Sequence, residues 1–135
     1  MTRNVFAVVF GIVLAVLLIM VVETIGHNVY PPPTHIDFTN MEEMTAYLDE
    51  LPTGALLFVM AAWLIGTLGG GLLACFIARD RPLAFASMVG GTVLFATVYT
   101  LVQIPHPMWF SITSVVAICV VSYLTGRLGA LFIRT

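Results

Sequence analysis

Four long apolar runs, separated by shorter polar segments, make up most of this 135-residue chain. They cover residues 5–26, 53–78, 82–104 and 107–131, and each is close to the roughly 20 residues that a helix needs to cross the hydrocarbon core of a bilayer. The connections after the second and third runs are too short to lead the chain back across a membrane. The pattern therefore predicts an all-α membrane protein, in which residues 1–135 form a single domain of four transmembrane helices in an antiparallel bundle.

The first connection, residues 27–52, is the only long polar segment, and its second half has the pattern of a short amphipathic helix. Thr39 and Glu42 have the spacing of a capping box at a helix start. Apolar residues then recur at helical spacing with acidic residues between them, and Pro52 ends the segment. The apolar positions are Met41, Met44, Leu48 and Leu51. We expect a helix over residues 40–51 that packs on the rim of the bundle, because its acidic face is unsuited to anionic lipid headgroups.

The charged residues divide between the two ends of the predicted helices. The chain has five basic residues, with no lysine among them, and seven acidic residues. Every basic residue flanks the same end, whereas all acidic residues except Asp80 lie toward the other end. The basic residues are Arg3, Arg79, Arg81, Arg127 and Arg134. Because arginine and lysine flank the cytoplasmic ends of membrane helices, this distribution predicts a multi-pass protein with both its N-terminus and its C-terminus in the cytoplasm.

The second apolar run carries a stripe of small residues at four-residue spacing, namely Ala62, Gly66, Gly70 and Ala74. Such a stripe lets two helix backbones approach closely in a membrane, where van der Waals packing holds helices together. We predict helix-packing contacts along it, either at the centre of the bundle or between subunits. The consecutive glycines at 69–71 allow a second interpretation, because glycine weakens a helix. They could form an unwound segment that exposes its backbone to a ligand, as in the broken helices of transporters.

The composition argues against most catalytic and nucleic-acid-binding functions. Hydrophobic residues make up 60% of the chain and charged residues 9%, and the mean hydropathy is +1.05, which leaves no room for a soluble catalytic domain. No phosphate-binding glycine pattern, nucleophile motif or continuous basic stripe is present. The middle of each apolar run lacks ionisable residues, which argues against an ion-coupled pump. We therefore predict a protein that is not an enzyme and has no cofactor. Its expected partners are membrane lipid and either its own copies or other membrane subunits, not nucleic acid.

Three ionisable residues at the outer end form one candidate polar site. Glu23 and His27 are four residues apart and share a face of the first helix, while His106 lies at a similar depth in the turn between the third and fourth. Packing of the first helix beside the fourth would bring them together. They could then bind a divalent metal, form a pH-sensing pair or recognise a ligand, or they could be separate helix-end residues, and the metal question stays open. Trp63, near mid-membrane, is either packed core or a possible cavity wall.

Two short segments at the outer turns have distinctive sequences. The first helix ends in Glu23-x-x-Gly26-His27-x-x-Tyr30-Pro31-Pro32, and the last turn reads Ile104-Pro105-His106-Pro107-x-Trp109. With these segments the chain resembles small bacterial four-helix integral membrane proteins of unassigned function. The resemblance implies four crossings and a location in the bacterial inner membrane, and it implies no activity, cofactor or catalytic residue.

These observations favour a non-enzymatic integral membrane protein that associates with itself or serves as a small subunit of a larger membrane complex. The alternative is a small channel or transporter with a pore along the glycine-rich second helix. A third hypothesis is a metal-dependent membrane enzyme with its site at the outer rim. The sequence leaves all three open.

Overall fold

The computed structural model describes residues 1–134, and these residues form five α-helices and no strand. The helices are α1 (Thr2–Val29), α2 (Met41–Glu50), α3 (Thr53–Ala78), α4 (Pro82–Gln103) and α5 (Met108–Arg134). Four of them, α1, α3, α4 and α5, are long and apolar enough to cross a membrane. The predicted all-α class and the four long apolar helices are thereby confirmed, and the chain has the elements of a multi-pass membrane protein.

Prolines set the boundaries at the turns that flank α4. Pro82 is the first residue of α4, where its missing N–H costs no helical hydrogen bond. Pro107 ends the following turn, and its carbonyl accepts a hydrogen bond from the Ser111 N–H at 3.1 Å at the start of α5. As a result α5 begins at Met108, one residue later than predicted, and α4 ends at Gln103, one residue earlier.

Helix α3 lies at the centre of the bundle, in contact with α1, α4 and α5. Helix α4 also contacts α1 and α5, whereas α1 and α5 do not contact each other within the part of the chain that the structure describes. The first and last helices are thus joined only through α3 and α4. Residues of α1 can therefore approach the turn before α5 only across the ends of these two helices.

The small-residue stripe on α3 packs against small residues of α1, among them Gly11 and Ala15. All four of its residues are buried: Ala62, Gly66, Gly70 and Ala74. A Cβ atom added to Gly70 would contact the Gly11 carbonyl and lie 2.7 Å from the Ala15 Cβ. A Cβ atom added to Gly66 would lie 2.8 Å from the Ala15 carbonyl oxygen. These approaches are too close for any residue but glycine. The stripe on α3 is therefore covered by α1 of the same chain.

The glycine run at 69–71 is helical throughout, as part of the continuous helix α3. Gly70 faces α1, whereas a Cβ atom added to Gly71 would lie 2.7 Å from the Thr125 Cγ2 of α5 and 3.7 Å from the Ala86 Cα of α4. Three helices therefore pack closely around the run. The hypothesis of an unwound segment is wrong, because close packing on both sides offsets the weak helix propensity of glycine.

The amphipathic helix of the outer loop is capped by a different residue from the one predicted. Asn40 is the N-cap of α2, and its side chain accepts a hydrogen bond from the Glu42 N–H at 3.0 Å. Thr39 lies one residue before this N-cap, and its hydroxyl and its N–H both donate to the Asp37 carboxylate, which lowers the pKa of Asp37. The Asp37 N–H in turn donates to the Glu43 carboxylate at 2.9 Å. The predicted capping box between Thr39 and Glu42 is therefore wrong.

Candidate functional site

A cavity of about 200 Å³ lies at the end of the bundle where α1 ends and α3 begins. We call it the rim cavity, and its lining comes from residues 23–30 of α1 and its C-cap, Phe38 of the outer loop, residues 44–51 in and after α2, 55–59 of α3, and 104–106 in the turn before α5. Helix α2 forms one wall with its apolar side, on which Leu48 is buried and Met44 and Tyr47 are partly buried. The lining is mainly apolar, and its few polar groups are therefore the candidates for recognising a ligand.

The structure places all three residues of the predicted polar site, Glu23, His27 and His106, in the lining of the rim cavity. Direct packing of the first and last membrane helices does not bring them together, because α1 and α5 are not in contact among the described residues. They approach instead across the start of α3, which contributes residues 55–59 to the same lining. The side-by-side packing of these two helices, which would also have brought the residues together, is thus absent among the described residues, although the three residues share one cavity.

Glu23 links the cavity to the core of the bundle. Its carboxylate lies close enough to His27 and to the side chain of Trp63 to interact with both. The Trp63 ring is only 5% exposed and belongs to the buried core, and Trp63 is not among the residues that line the rim cavity. Trp63 is therefore a core residue that approaches Glu23 from the side of the core.

His106 is fixed by a hydrogen bond and by ring stacking. Its Nδ1 lies 2.9 Å from the Ile104 carbonyl oxygen, so the Nδ1–H donates this bond. The imidazole stacks on the ring of Phe110, with centroids 5.1 Å apart and an interplanar angle of 20°. Phe110 is fully buried and packs in turn on Trp63, at 5.6 Å between centroids. Burial lowers the pKa of His106, and the bond to Ile104 opposes this effect only in part.

Acidification is expected to destabilise the protein through His106. Because the pKa of His106 is lower in the folded state than in the unfolded chain, the unfolded chain binds the proton first. The contribution of His106 to the free energy of unfolding is fully present above the ordinary histidine pKa, and it is lost as the pH falls through the folded-state value. Thermal unfolding in detergent should therefore show a lower midpoint at pH 5 than at pH 7.5.

The His106→Asn substitution tests this assignment, because an asparagine amide can still donate to the Ile104 carbonyl but does not titrate. Most of the pH dependence between pH 5 and pH 7.5 should disappear in this variant. The matched control is His35→Asn, which removes an exposed histidine of the outer loop and should keep the wild-type slope. Equal slopes in His106→Asn and in the wild-type protein would contradict the prediction.

The rim cavity does not provide the ligand set of a metal site. Within residues 1–134, no three His, Cys, Asp or Glu side chains are placed so that they could hold one metal ion. One nitrogen of His106 is already engaged by Ile104, and His35 lies outside the lining. The geometry therefore gives no support to a metal-dependent enzyme at the outer rim.

Four aromatic residues of the lining were not predicted as part of the site: Tyr30, Phe38, Tyr47 and Phe58. Only Tyr47 carried a usable signal, because it follows Met44 by three residues on the apolar side of the amphipathic helix. Tyr30 and Phe38 lie outside the helices, where no periodicity marks a side chain as facing a cavity. Their convergence depends on how α2 docks on the bundle.

Comparisons with protein-family models, with curated proteins and with solved structures found no match to this chain. The resemblance to small bacterial four-helix membrane proteins therefore stays an expectation based on two short segments. The function has to be argued from the residues and their geometry.

Proposed function

We propose that this protein is a non-enzymatic integral membrane protein that associates with itself or serves as a small subunit of a larger membrane complex. The observation that carries this proposal is the environment of Gly91 on α4. A Cβ atom added to Gly91 would meet nothing within 4 Å, whereas every other glycine of the chain lies against a different segment of the same chain. An open glycine on a membrane helix is suited to the close approach of another helix.

Gly91 belongs to a surface of α4 that we call the α4 face, consisting of Ser87, Gly91, Phe95 and Val102. Ser87 and Gly91 are exposed and small, and they form a notch one helical turn long. Phe95 and Val102 project beside it and are 75% and 78% exposed, whereas the exposed apolar side chains of α1 reach at most 60%. Glycine costs about 1 kcal/mol in a helix interior. Contact with lipid does not offset this cost, whereas packing of a second helix does.

Gly91→Leu is expected to weaken assembly without unfolding the chain, because the added side chain fills the notch but meets no atom of its own chain. Native mass spectrometry of the protein purified in mild detergent should show at least tenfold less of the assembled species. The control is Ala96→Leu, which places the same side chain on an exposed position of α4 outside the α4 face. A purely monomeric wild-type protein with no partner subunit, or equal assembly in both variants, would contradict the proposal.

The proposal includes an antiparallel bundle in the bacterial inner membrane, with both termini in the cytoplasm. Contacts at the two ends of α1 support this arrangement. Gly26, near the end of α1, lies against Phe58 in the first turns of α3. Asn4, near the start of α1, lines a pocket together with Arg81 in the turn that follows α3. The arginine distribution then supports the orientation through the positive-inside rule.

A small channel or transporter with a pore along α3 is the second candidate. The hydroxyls of Thr97 and Ser114 favour it, because both are buried and have no hydrogen-bond partner among the described residues. Polar groups of this kind are costly in a membrane unless they find a partner. Against it, Phe110 and Ile118 are buried on either side of Ser114 on α5 and fill the space that a pore would need. Flux measurements in liposomes separate the two candidates, since selective or saturable flux would displace the subunit proposal.

A further inference from the structure

Aromatic rings from four separate segments converge on the rim cavity. Tyr30 follows α1, Phe38 lies in the outer loop, and Tyr47 and Phe58 belong to α2 and α3. They form two edge-to-face pairs: the centroids of Phe38 and Tyr47 are 6.1 Å apart at 85°, and those of Tyr30 and Phe58 are 6.0 Å apart at 66°. In an edge-to-face pair, the edge of one ring covers one face of the other. The remaining ring faces are left for contact with a ligand. The electron-rich face of such a ring attracts a cation.

The charges at this end of the molecule are also those that a cation would require. Glu23 is the acidic residue of the lining and is partly buried, and His27 and His106 are the histidines that face the same space. No arginine occurs between residues 4 and 78, and the chain has no lysine. The outer loop and α2 add five further acidic residues, all of them exposed: Asp37, Glu42, Glu43, Asp49 and Glu50. A negative field of this kind raises the local concentration of cations.

We propose that the rim cavity binds an organic ammonium group, with the Glu23 carboxylate as its counter-ion and the four aromatic rings as its walls. Rings arranged around an ammonium group are the usual means by which proteins recognise quaternary ammonium ligands. The volume of about 200 Å³ admits a small alkylammonium ion. Apolar side chains such as Leu48, Leu51 and Val59 line the remainder and receive the alkyl part. This site shares no residue with the α4 face, so it stands independently of the proposed assembly.

Other classes of ligand fit this lining less well. Calcium takes six to eight oxygen ligands and magnesium six, but the cavity offers one carboxylate among mainly apolar groups. An anion would face Glu23 with no arginine or lysine nearby to compensate for the repulsion. A neutral apolar molecule would bury the Glu23 carboxylate further without supplying the opposite charge, which is costly. An organic cation pairs with the charge of the Glu23 carboxylate and is also attracted by the faces of the aromatic rings.

Two soluble molecules of the same shape test the proposal directly: choline, and its uncharged isostere 3,3-dimethylbutan-1-ol. Both are titrated by calorimetry into the full-length protein in nanodiscs of phosphatidylglycerol, a lipid that carries no ammonium group. We expect choline to bind at least about tenfold more tightly than the isostere, because only choline gains the carboxylate and cation–π attraction. Equal affinities, or no binding of choline, would overturn the proposal.

Two substitutions locate the binding at the rim cavity. Glu23→Gln removes the charge but keeps the size of the side chain, and it should weaken choline binding by about tenfold. Tyr47→Leu removes one ring and keeps an apolar residue on α2, and it should weaken binding by about fivefold. Tyr47→Phe retains the ring and should restore most of the affinity. The matched control is Tyr99→Leu, at an exposed tyrosine of α4 outside the cavity, which should leave the affinity unchanged.

A lipid headgroup is a second source of an organic ammonium group. The choline titration can show whether such a headgroup occupies the rim cavity. In nanodiscs of phosphatidylcholine, a weaker apparent affinity for free choline would show that the headgroup occupies the cavity. An unchanged affinity would assign the site to soluble cations. Wild-type affinity in both Glu23→Gln and Tyr47→Leu would place choline elsewhere on the protein and would refute the proposed site.

Discussion

Replacing Gly70 by leucine is expected to prevent the bundle from folding, or to lower its free energy of unfolding by about 3 kcal/mol or more. A Cβ atom at this position would already contact the Gly11 carbonyl and approach the Ala15 Cβ to 2.7 Å. Both neighbours are part of a helix backbone or lie directly on it, so they cannot turn aside as the end of a long side chain could. Unfolding by sodium dodecyl sulfate and the yield of monodisperse protein in detergent measure the effect.

Gly91→Leu is the matched control for this experiment, because it makes the same substitution in another membrane helix where a Cβ atom meets nothing within 4 Å. The comparison should be made at a detergent concentration that keeps both variants monomeric, so that assembly does not contribute to stability. We expect the Gly91 variant to unfold close to the wild-type midpoint. A Gly70→Leu protein with wild-type yield and midpoint would mean that α1 and α3 do not pack along the small-residue stripe.

The four membrane helices were predictable from the sequence because the bilayer imposes a simple requirement on length and polarity. Which of these helices contact one another was not predictable in the same way. Side chains that face lipid and side chains that face another helix are both apolar, so most positions carry no mark of the side on which they pack. The glycines are the exception, since close approach leaves a signature in residue size. Even so, the stripe around Gly70 was equally compatible with contacts inside the bundle and contacts between subunits.

The start of α2 shows how a local pattern can mislead. Thr39 and Glu42 have the spacing of a capping box, in which the Thr39 hydroxyl would accept a bond from a backbone N–H of the first helical turn. The Asp37 carboxylate, two residues earlier, takes both the hydroxyl and the N–H of Thr39, and Asn40 caps the helix instead. The choice depends on which of several adjacent polar side chains wins a competition for the same donors, and spacing alone does not reveal the outcome.

The candidate site was predictable to the extent that depth in the membrane determines it. Glu23, His27 and His106 share one cavity because the end of α1 and the turn before α5 lie at the same end of the bundle. The aromatic lining depends on tertiary structure, because Phe38 and Tyr47 reach the cavity only when α2 lies on the rim. The sequence thus identified the carboxylate and the histidines of the site but not the aromatic rings that determine which ligand we propose for it.

The orientation of the chain rests on the distribution of its charges. Asn4 of α1 and Arg81 line one pocket, and Arg127 and Arg134 of α5 line another beside Leu83 at the start of α4. The basic residues therefore collect around the end that holds the turn between α3 and α4. The acidic outer loop follows the opposite end of α1. By the positive-inside rule, this distribution supports the proposed orientation, with the arginine end in the cytoplasm.

A cysteine introduced as Glu43→Cys is therefore expected to react almost completely with a membrane-impermeant maleimide added to intact spheroplasts. The measurement requires a background with Cys75→Ala and Cys119→Ala, because these are the two native cysteines. The matched control is Asp80→Cys, an exposed position in the turn between α3 and α4, which should stay unlabelled until the membrane is permeabilised. Helix α3 separates the two positions, because Glu43 lies in α2 before its start and Asp80 lies in the turn after its end, so a correct topology gives opposite results for them. Labelling of the Asp80 cysteine from outside, with protection of the Glu43 cysteine, would invert the proposed orientation.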